Sequence, residues 1–282
     1  MRPPFGFATY ANRWHRRLKW VVYALLVVDF FFFLYQDIES APHTLSADPS
    51  LLQWMRAYVT SIDLLAWFVL IACFELETGP LAGRLAGNGR RSALRAVRLA
   101  CVVAILHTTY ADIGILRDVQ APRALPAAVD LCAYTDGSWS FLRNRGYTTV
   151  AAENCANLGR GPGFFAIHAE PVVTDRAGLT EALILAWTDV AENLAWLLIV
   201  LATEIAVRMQ LRGISGGTLL TFIGCAKTVL YTLIVLIACY WGSKGQILYF
   251  WDEILWLFGF LMIEGNLRAQ RAHLLPATRP NA

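Results

Sequence analysis

Six long apolar stretches, separated by short polar or basic punctuation, set the pattern of this chain. They fall at about residues 20–38, 52–74, 94–116, 180–206, 218–241 and 247–264, each near the ~20 residues that carry an α-helix across ~30 Å of hydrocarbon. The one long interval without a sustained apolar run, residues 117–178, holds Pro122, Pro126, Pro162, Pro171 and many glycines. The pattern predicts an all-α integral membrane protein, a single domain over residues 1–282. It has six transmembrane helices and a roughly 60-residue extracytoplasmic loop or cap between helices 3 and 4. No proline falls within the six stretches, which argues against broken spans.

Orientation follows from the basic residues of the short connections. One side receives Arg2, Arg13, Arg16, Arg17 and Lys19, then Arg84, Arg90, Arg91, Arg95 and Arg98, then Arg208 and Arg212, then Arg268, Arg271 and Arg279. The other side's short connections carry little beyond Arg56 and Lys244. Long loops are exempt from the positive-inside rule, so the arginines of 117–178 do not count against it. Both termini are therefore expected in the cytoplasm and the chain in a bacterial-type inner membrane. Arg16 and Arg17 before an apolar run suggest an export signal, but the run has the length of a full span and no convincing cleavage site follows. Trp14, Trp20, Trp54, Trp241, Tyr249 and Trp251 fall near the span ends, where amphipathic rings favour the interface.

Composition agrees. The 282 residues are 57% hydrophobic and 16% charged, against roughly 45–50% apolar in a soluble domain, and the mean hydropathy is +0.47. A net charge of +3, with no basic patch interleaved with aromatics, excludes nucleic acid as a partner. Cys132 and Cys155 are the two cysteines of the outer loop, while Cys73, Cys101, Cys225 and Cys239 lie in spans. In an oxidising compartment the first two are expected to form a disulfide. The four in the spans read as packing residues, because their spacing lacks any metal-site pattern.

Candidate chemistry sits inside the spans. "WTDVAENLAW" places Asp189, Glu192, Asn193 and Trp196 on one face of the fourth helix, and Glu204 returns to nearly that face. An ionised carboxylate in the hydrocarbon costs several kcal/mol, so the stripe is expected to face the bundle interior. The other helices answer with Asp29, Asp63, His107, Asp112, Lys227, Asp252 and Glu253. Tyr110 lies at similar depth. Lys227, about ten residues from either end of its span, is too deep to snorkel. It is expected to pair with Asp189, Glu192, Asp29 or Asp63. Acids outnumber bases here, and an excess of buried carboxylates implies bound protons or bound cations.

Sharper assignments fail. A voltage sensor needs arginines at every third position, and a retinal protein needs a seventh helix. "GISGG" at 213–217 matches G-x-S-x-G but lacks a preceding strand and convincing His/Asp partners. "GNGRRS" and "GRGPGFF" lack the lysine and setting of a phosphate loop. "VLIACF" at 69–74 echoes "VLIACY" at 235–240, a faint hint of an inverted repeat. Glu75 and Glu77 read as surface partners of the basic "GRRSALR" that opens the next helix. Glu75, Glu204 and Glu264 could together line a cytoplasmic acidic vestibule.

The resulting expectation is a non-enzymatic membrane protein that conducts or transports protons or a small cation. Its pathway comprises Asp29, Asp63, His107, Asp112, Asp189, Glu192, Asn193, Lys227, Asp252 and Glu253. The expected partners are the lipid bilayer and the conducted ion, with no cofactor or metal, and a second copy or partner subunit is compatible with the sequence. The alternative is a scaffold, sensor or accessory subunit whose buried charges hold the bundle together or match a partner.

Overall fold

The computed structural model describes residues 5–45, 48–78, 88–126, 131–136, 138–159, 163–167, 171–214 and 216–274. Seven helices carry most of these: α1 (Phe5–Thr44), α2 (Leu51–Ala57), α3 (Val59–Thr78), α4 (Asn88–Gln120), α5 (Arg176–Leu211), α6 (Thr218–Ser243) and α7 (Ile247–Leu274). Five of them, α1, α3, α4, α5 and α6, contain stretches long and apolar enough to cross a membrane. In α1 and α6 only 22% and 28% of that apolar window is buried inside the protein. The rest, including Phe31, Phe32, Phe222, Val229 and Leu236, faces outward. Large apolar side chains exposed in such continuous bands fit an apolar solvent, which makes this a membrane protein. α7, the sixth span of the sequence pattern, is as long as the others but carries Asp252, Glu253 and Glu264 within its apolar stretch.

Two further differences from the sequence pattern have local causes. The second apolar stretch is two helices rather than one. Ser50 opens α2 with a capping box: its hydroxyl accepts the Gln53 N–H at 3.3 Å, and the Gln53 side chain accepts the Ser50 N–H at 2.8 Å. Tyr58 (φ −109°, ψ 25°) then interrupts the helical path. Backbone hydrogen bonds nonetheless run through the break, from Tyr58 N–H to the Trp54 carbonyl and from Ile62 N–H to the Tyr58 carbonyl. Proline is also present in a long apolar helix: α1 runs on to Thr44 and holds Pro42 in its last turn, where it removes one N–H from the helical ladder close to the helix end.

The described residues between 121 and 175 form a small sheet-containing cap. Strands β1 (Arg123–Ala124), β2 (Ser140–Arg143), β3 (Gly146–Thr149), β4 (Phe164–Ala166) and β5 (Val172–Asp175) make one sheet in the order β1-β4-β5-β2-β3. All pairings are antiparallel except β2 with β5. Leu125, Leu131, Phe141, Val150, Cys155, Ala166 and Val173 form its core. The expected Cys132–Cys155 disulfide is present. β5 runs directly into α5, and Asp175, almost fully buried, caps that helix by accepting the Gly178 N–H at 2.7 Å. Arg143 donates to the same carboxylate at 2.9 Å.

By packing, the chain divides into two compact units. Unit 1 takes its described residues from Met1–Phe31, Leu65–Val102 and Ala195–Ala282; unit 2 takes them from Phe32–Leu64 and Val103–Leu194. In unit 1 Trp67 packs against Trp196, Trp256 and Phe260 with ring centroids at 5.9, 6.1 and 5.9 Å, over a core that includes Leu26, Leu70, Phe74 and Ile263. Gly259 allows close approach here, since a Cβ on it would lie 3.2 Å from Ile71 Cδ1. Unit 2 holds the cap, and there the His43 ring at the end of α1 stacks on Tyr147 while its Nδ1 lies 2.8 Å from the Ser140 hydroxyl.

The bridge closes a segment with 23 residues of sequence separation, so replacing both cysteines by serine should cost the cap about 3 kcal/mol. Protease digestion of the full chain in proteoliposomes across a urea series should show cleavage of 121–175 at lower urea, with the helices protected as before.

Candidate functional site

α5 is the spine of the polar interior. At 36 residues it is about 54 Å long, well beyond the ~30 Å hydrocarbon thickness. Four members of its inward stripe, Asp189, Asn193, Trp196 and Glu204, each meet a group from another element. In unit 2 the Asp189 carboxylate is bound by the Arg145 guanidinium, and the Asn193 amide donates to Asp112 of α4. In unit 1 the Trp196 Nε1–H donates to Glu253 of α7 at 3.1 Å, and Glu204 pairs with Arg98 of α4.

Unit 2 gathers carboxyl groups from three helices. Asp112 lies within electrostatic reach of Asp189, Asp63, Glu192 and Arg145. Three acids and one base therefore surround a fourth acid. Arg145 is delivered by the cap: β2 and β3 pair Arg143 with Gly146, leaving Asn144 and Arg145 as a two-residue turn. Both turn residues have positive φ, 45° and 67°, as the tight turns that match strand twist require. An arginine is an uncommon occupant of that conformation. Its placement makes sense through the contact it gains with Asp189. In the same unit Asp37, buried, accepts the Ser61 N–H at 2.9 Å and the Ser61 hydroxyl at 2.7 Å.

His107 does not join these carboxyls. It stands five residues from Asp112, about 140° round α4, and its buried Nδ1 has no hydrogen-bond partner among the described residues.

Unit 1 holds the rest of the expected pathway in a different arrangement. Lys227 is paired with Glu264 of α7, not with Asp189, Glu192, Asp29 or Asp63. The reason is geometric: α6 and α7 are sequence neighbours packed as a hairpin, so the acid at the far end of α7 lies nearest the start of α6. The three acids expected to form an open vestibule are likewise matched. Glu75 pairs with Lys19, Glu204 with Arg98 and Arg208, and Glu264 with Lys227. Glu77 pairs with Arg98 rather than with the "GRRSALR" segment, at 2.6 Å, and Arg98 also lies over the Phe74 ring at 4.4 Å. These pairs form an ionic layer. Asp29 and Asp252 belong to neither it nor the tryptophan contact. The Asp29 carboxyl is 1% exposed, and neither of its oxygens has a hydrogen-bond partner among the described residues.

The residues expected to line one pathway therefore divide. Asp63, His107, Asp112, Asp189, Glu192 and Asn193 lie in unit 2, and Asp29, Lys227, Asp252 and Glu253 in unit 1. Arg145, Asp37 and the partner role of Glu264 escaped the sequence reading. The tight "RNRG" turn between two strand-like runs was the available signal for Arg145. Among the described residues no three His, Cys, Asp or Glu groups stand close enough to hold a metal ion. No protein-family model, curated protein or solved structure matches this chain.

Lys227 is only 5% exposed, so truncating it to leucine strands the Glu264 charge and should destabilise the protein by about 3–5 kcal/mol. Adding Glu264→Gln should recover most of that loss. Denaturant unfolding of the two single variants and the double variant in lipid nanodiscs measures the coupling.

Proposed function

We propose that the chain is a multi-pass inner-membrane protein, with six spans and cytoplasmic termini, that moves protons along the carboxyl groups of its helices. The observation that carries this reading is the excess of acid around Asp112: Asp63, Asp189 and Glu192 as neighbours and Arg145 as the one cation acting on it. Three acids and one guanidinium act on Asp112, and a proton is the simplest counter-charge for an acid in that setting. Protons are favoured over a dehydrated metal ion because the described acids contact other groups in pairs and form no coordinating cage.

With Arg208 at the cytoplasmic face, about 20 residues of α5 reach Asp189. Asp189 and Arg145 then stand at the outer mouth beneath the cap, while Asn193 and Asp112 lie one turn deeper. Arg145 acts there as a tethered counter-ion that an arriving proton displaces by neutralising Asp189. The scaffold reading draws support from a different observation, the matched ionic layer of Lys19–Glu75, Arg98–Glu77, Arg98–Glu204 and Lys227–Glu264. Those pairs are assigned to holding helix register, and the proton role to the carboxyl-rich contacts alone.

Reconstituted in liposomes with an internal pH-sensitive dye, the protein should dissipate a proton gradient. Asp112→Asn, Asp189→Asn and Glu192→Gln should each slow that flux by about a hundredfold or more, the size of a lost positioned proton-transfer step, while the folded protein is retained. No flux under either polarity of gradient or potential sinks the proposal and leaves the scaffold. Orientation has its own check. An impermeant maleimide added outside intact cells should label a cysteine placed at Ser138 but not one placed at Arg268.

A further inference from the structure

We propose that His43 is a positioning residue for the proton pathway, gripping the β2–β3 hairpin so that Arg145, in its turn, stays at Asp189. The inference rests on the proton reading for what this grip is used for, but the grip itself stands on contacts of its own. The His43 Nδ1 lies 2.8 Å from the Ser140 hydroxyl of β2, and the ring stacks on Tyr147 of β3 with centroids 5.4 Å apart and planes 8° from parallel. Ser140 pairs with Thr149 and Leu142 with Tyr147, so Ser140 and Tyr147 project from the same face of the hairpin. One ring therefore holds both strands. Phe141 lies on the opposite face, in the cap core.

The hairpin needs an outside hold because its turn extends past the rest of the sheet. β3 is an edge strand, and β5 pairs with β2 at Ser140 and Phe141. Leu142, Arg143 and the turn lie beyond that ladder, and a two-stranded ribbon is marginally stable by itself. Side chains fasten the β2 side: the Thr174 hydroxyl donates to the Leu142 carbonyl at 2.8 Å, and Arg143 donates to Asp175. On β3 the hold falls at the Tyr147 ring, two positions from Arg145.

His43 is itself anchored. It occupies the last turn of α1 beside Pro42, whose ring fixes the local backbone. Earlier on α1, Asp37 accepts the Ser61 N–H and hydroxyl at 2.9 and 2.7 Å, which ties this end of α1 to α3. The chain of contacts thus runs from α3 through α1 and His43 to the hairpin, and from Arg145 to Asp189 of α5. Histidine suits the place because it joins a flat ring face to a polar edge. Phenylalanine would keep the stack and leave the hydroxyl of buried Ser140 against a C–H edge. Glutamine would keep a polar partner for that hydroxyl and lose the stack.

Hydrogen–deuterium exchange of the full chain in nanodiscs, read by mass spectrometry, tests the grip without reference to flux. His43→Ala should speed exchange of the hairpin, residues 140–149, by about tenfold, the effect on a local opening of losing one aromatic stack and one hydrogen bond. α5 should stay protected as in the wild type. A hairpin that exchanges at the wild-type rate overturns the proposal. Proton flux in liposomes then tests the positioning. His43→Ala and Arg145→Ala should each slow it by about tenfold or more, and the double variant should be no slower than Arg145→Ala, because His43 acts through Arg145. Effects that multiply give His43 a separate role and overturn the proposal, as does unchanged flux in His43→Ala. Where His43→Ala does not fold, His43→Gln and His43→Phe, each keeping one of the two contacts, should show intermediate exchange and flux; wild-type values in both overturn it. A wild type without flux removes the transport reading and leaves exchange to decide the grip.

Discussion

A carboxylate placed in hydrocarbon has no water to complete its solvation, so it must find a donor, a cation or a proton among its neighbours. That requirement shapes the interior of this protein more than any packing preference. The lipid-facing helix surfaces are interchangeable Leu, Val, Ile and Phe, and nothing in them dictates which helix adjoins which. The acids do dictate it. Asp189 needs Arg145, so the cap hairpin must dock at the start of α5; Glu204 and Glu77 both need Arg98; Glu264 needs Lys227 across the α6–α7 hairpin. Replacing such a group with a hydrophobe of similar volume is often neutral only if its partner goes too. The register of the helices is thereby tied to matched pairs.

Much of this was readable from residues alone, and the parts that were not share a physical cause. The five long apolar helices, the Cys132–Cys155 bridge and the polar stripe of α5 follow from hydropathy, cysteine placement and helical periodicity, all local properties. Partner identity is not local. Lys227 looked certain to meet a mid-span aspartate because it lies deep in its own span; its partner is Glu264 because the tight connection between α6 and α7 sets their relative height. Arg145 sat in a segment discounted for topology, and only the strand pairing of β2 with β3 shows that its turn presents it to Asp189. The break at Tyr58 has no sequence signal of the usual kind, neither proline nor glycine, and the capping box at Ser50 accounts for where α2 starts rather than where it stops.

The cap is tied to the helices by more than chain connectivity. Its sheet is continuous with α5 through Asp175, which serves at once as the last residue of β5, the helix cap and the partner of Arg143. The disulfide fixes the 3-10 turn Leu131–Tyr134 to the segment after β3. Arg145 is thus held by a rigid hairpin, not by a mobile loop.

The distinction that matters for function lies between acids matched to bases and acids matched to acids. An ion pair such as Lys227–Glu264 is neutralised with both groups charged and needs no further counter-ion. A carboxyl facing a carboxyl is neutralised only by a mobile particle, so its charge state answers to the solution on either side. The base-matched acids of unit 1 gather at Glu75, Glu77, Glu204 and Glu264, while in unit 2 the acids acting on Asp112 outnumber the bases. A bundle needing only register would be complete with the first set. The second set adds electrostatic cost, and the proposed proton role is the reading that gives that cost a use.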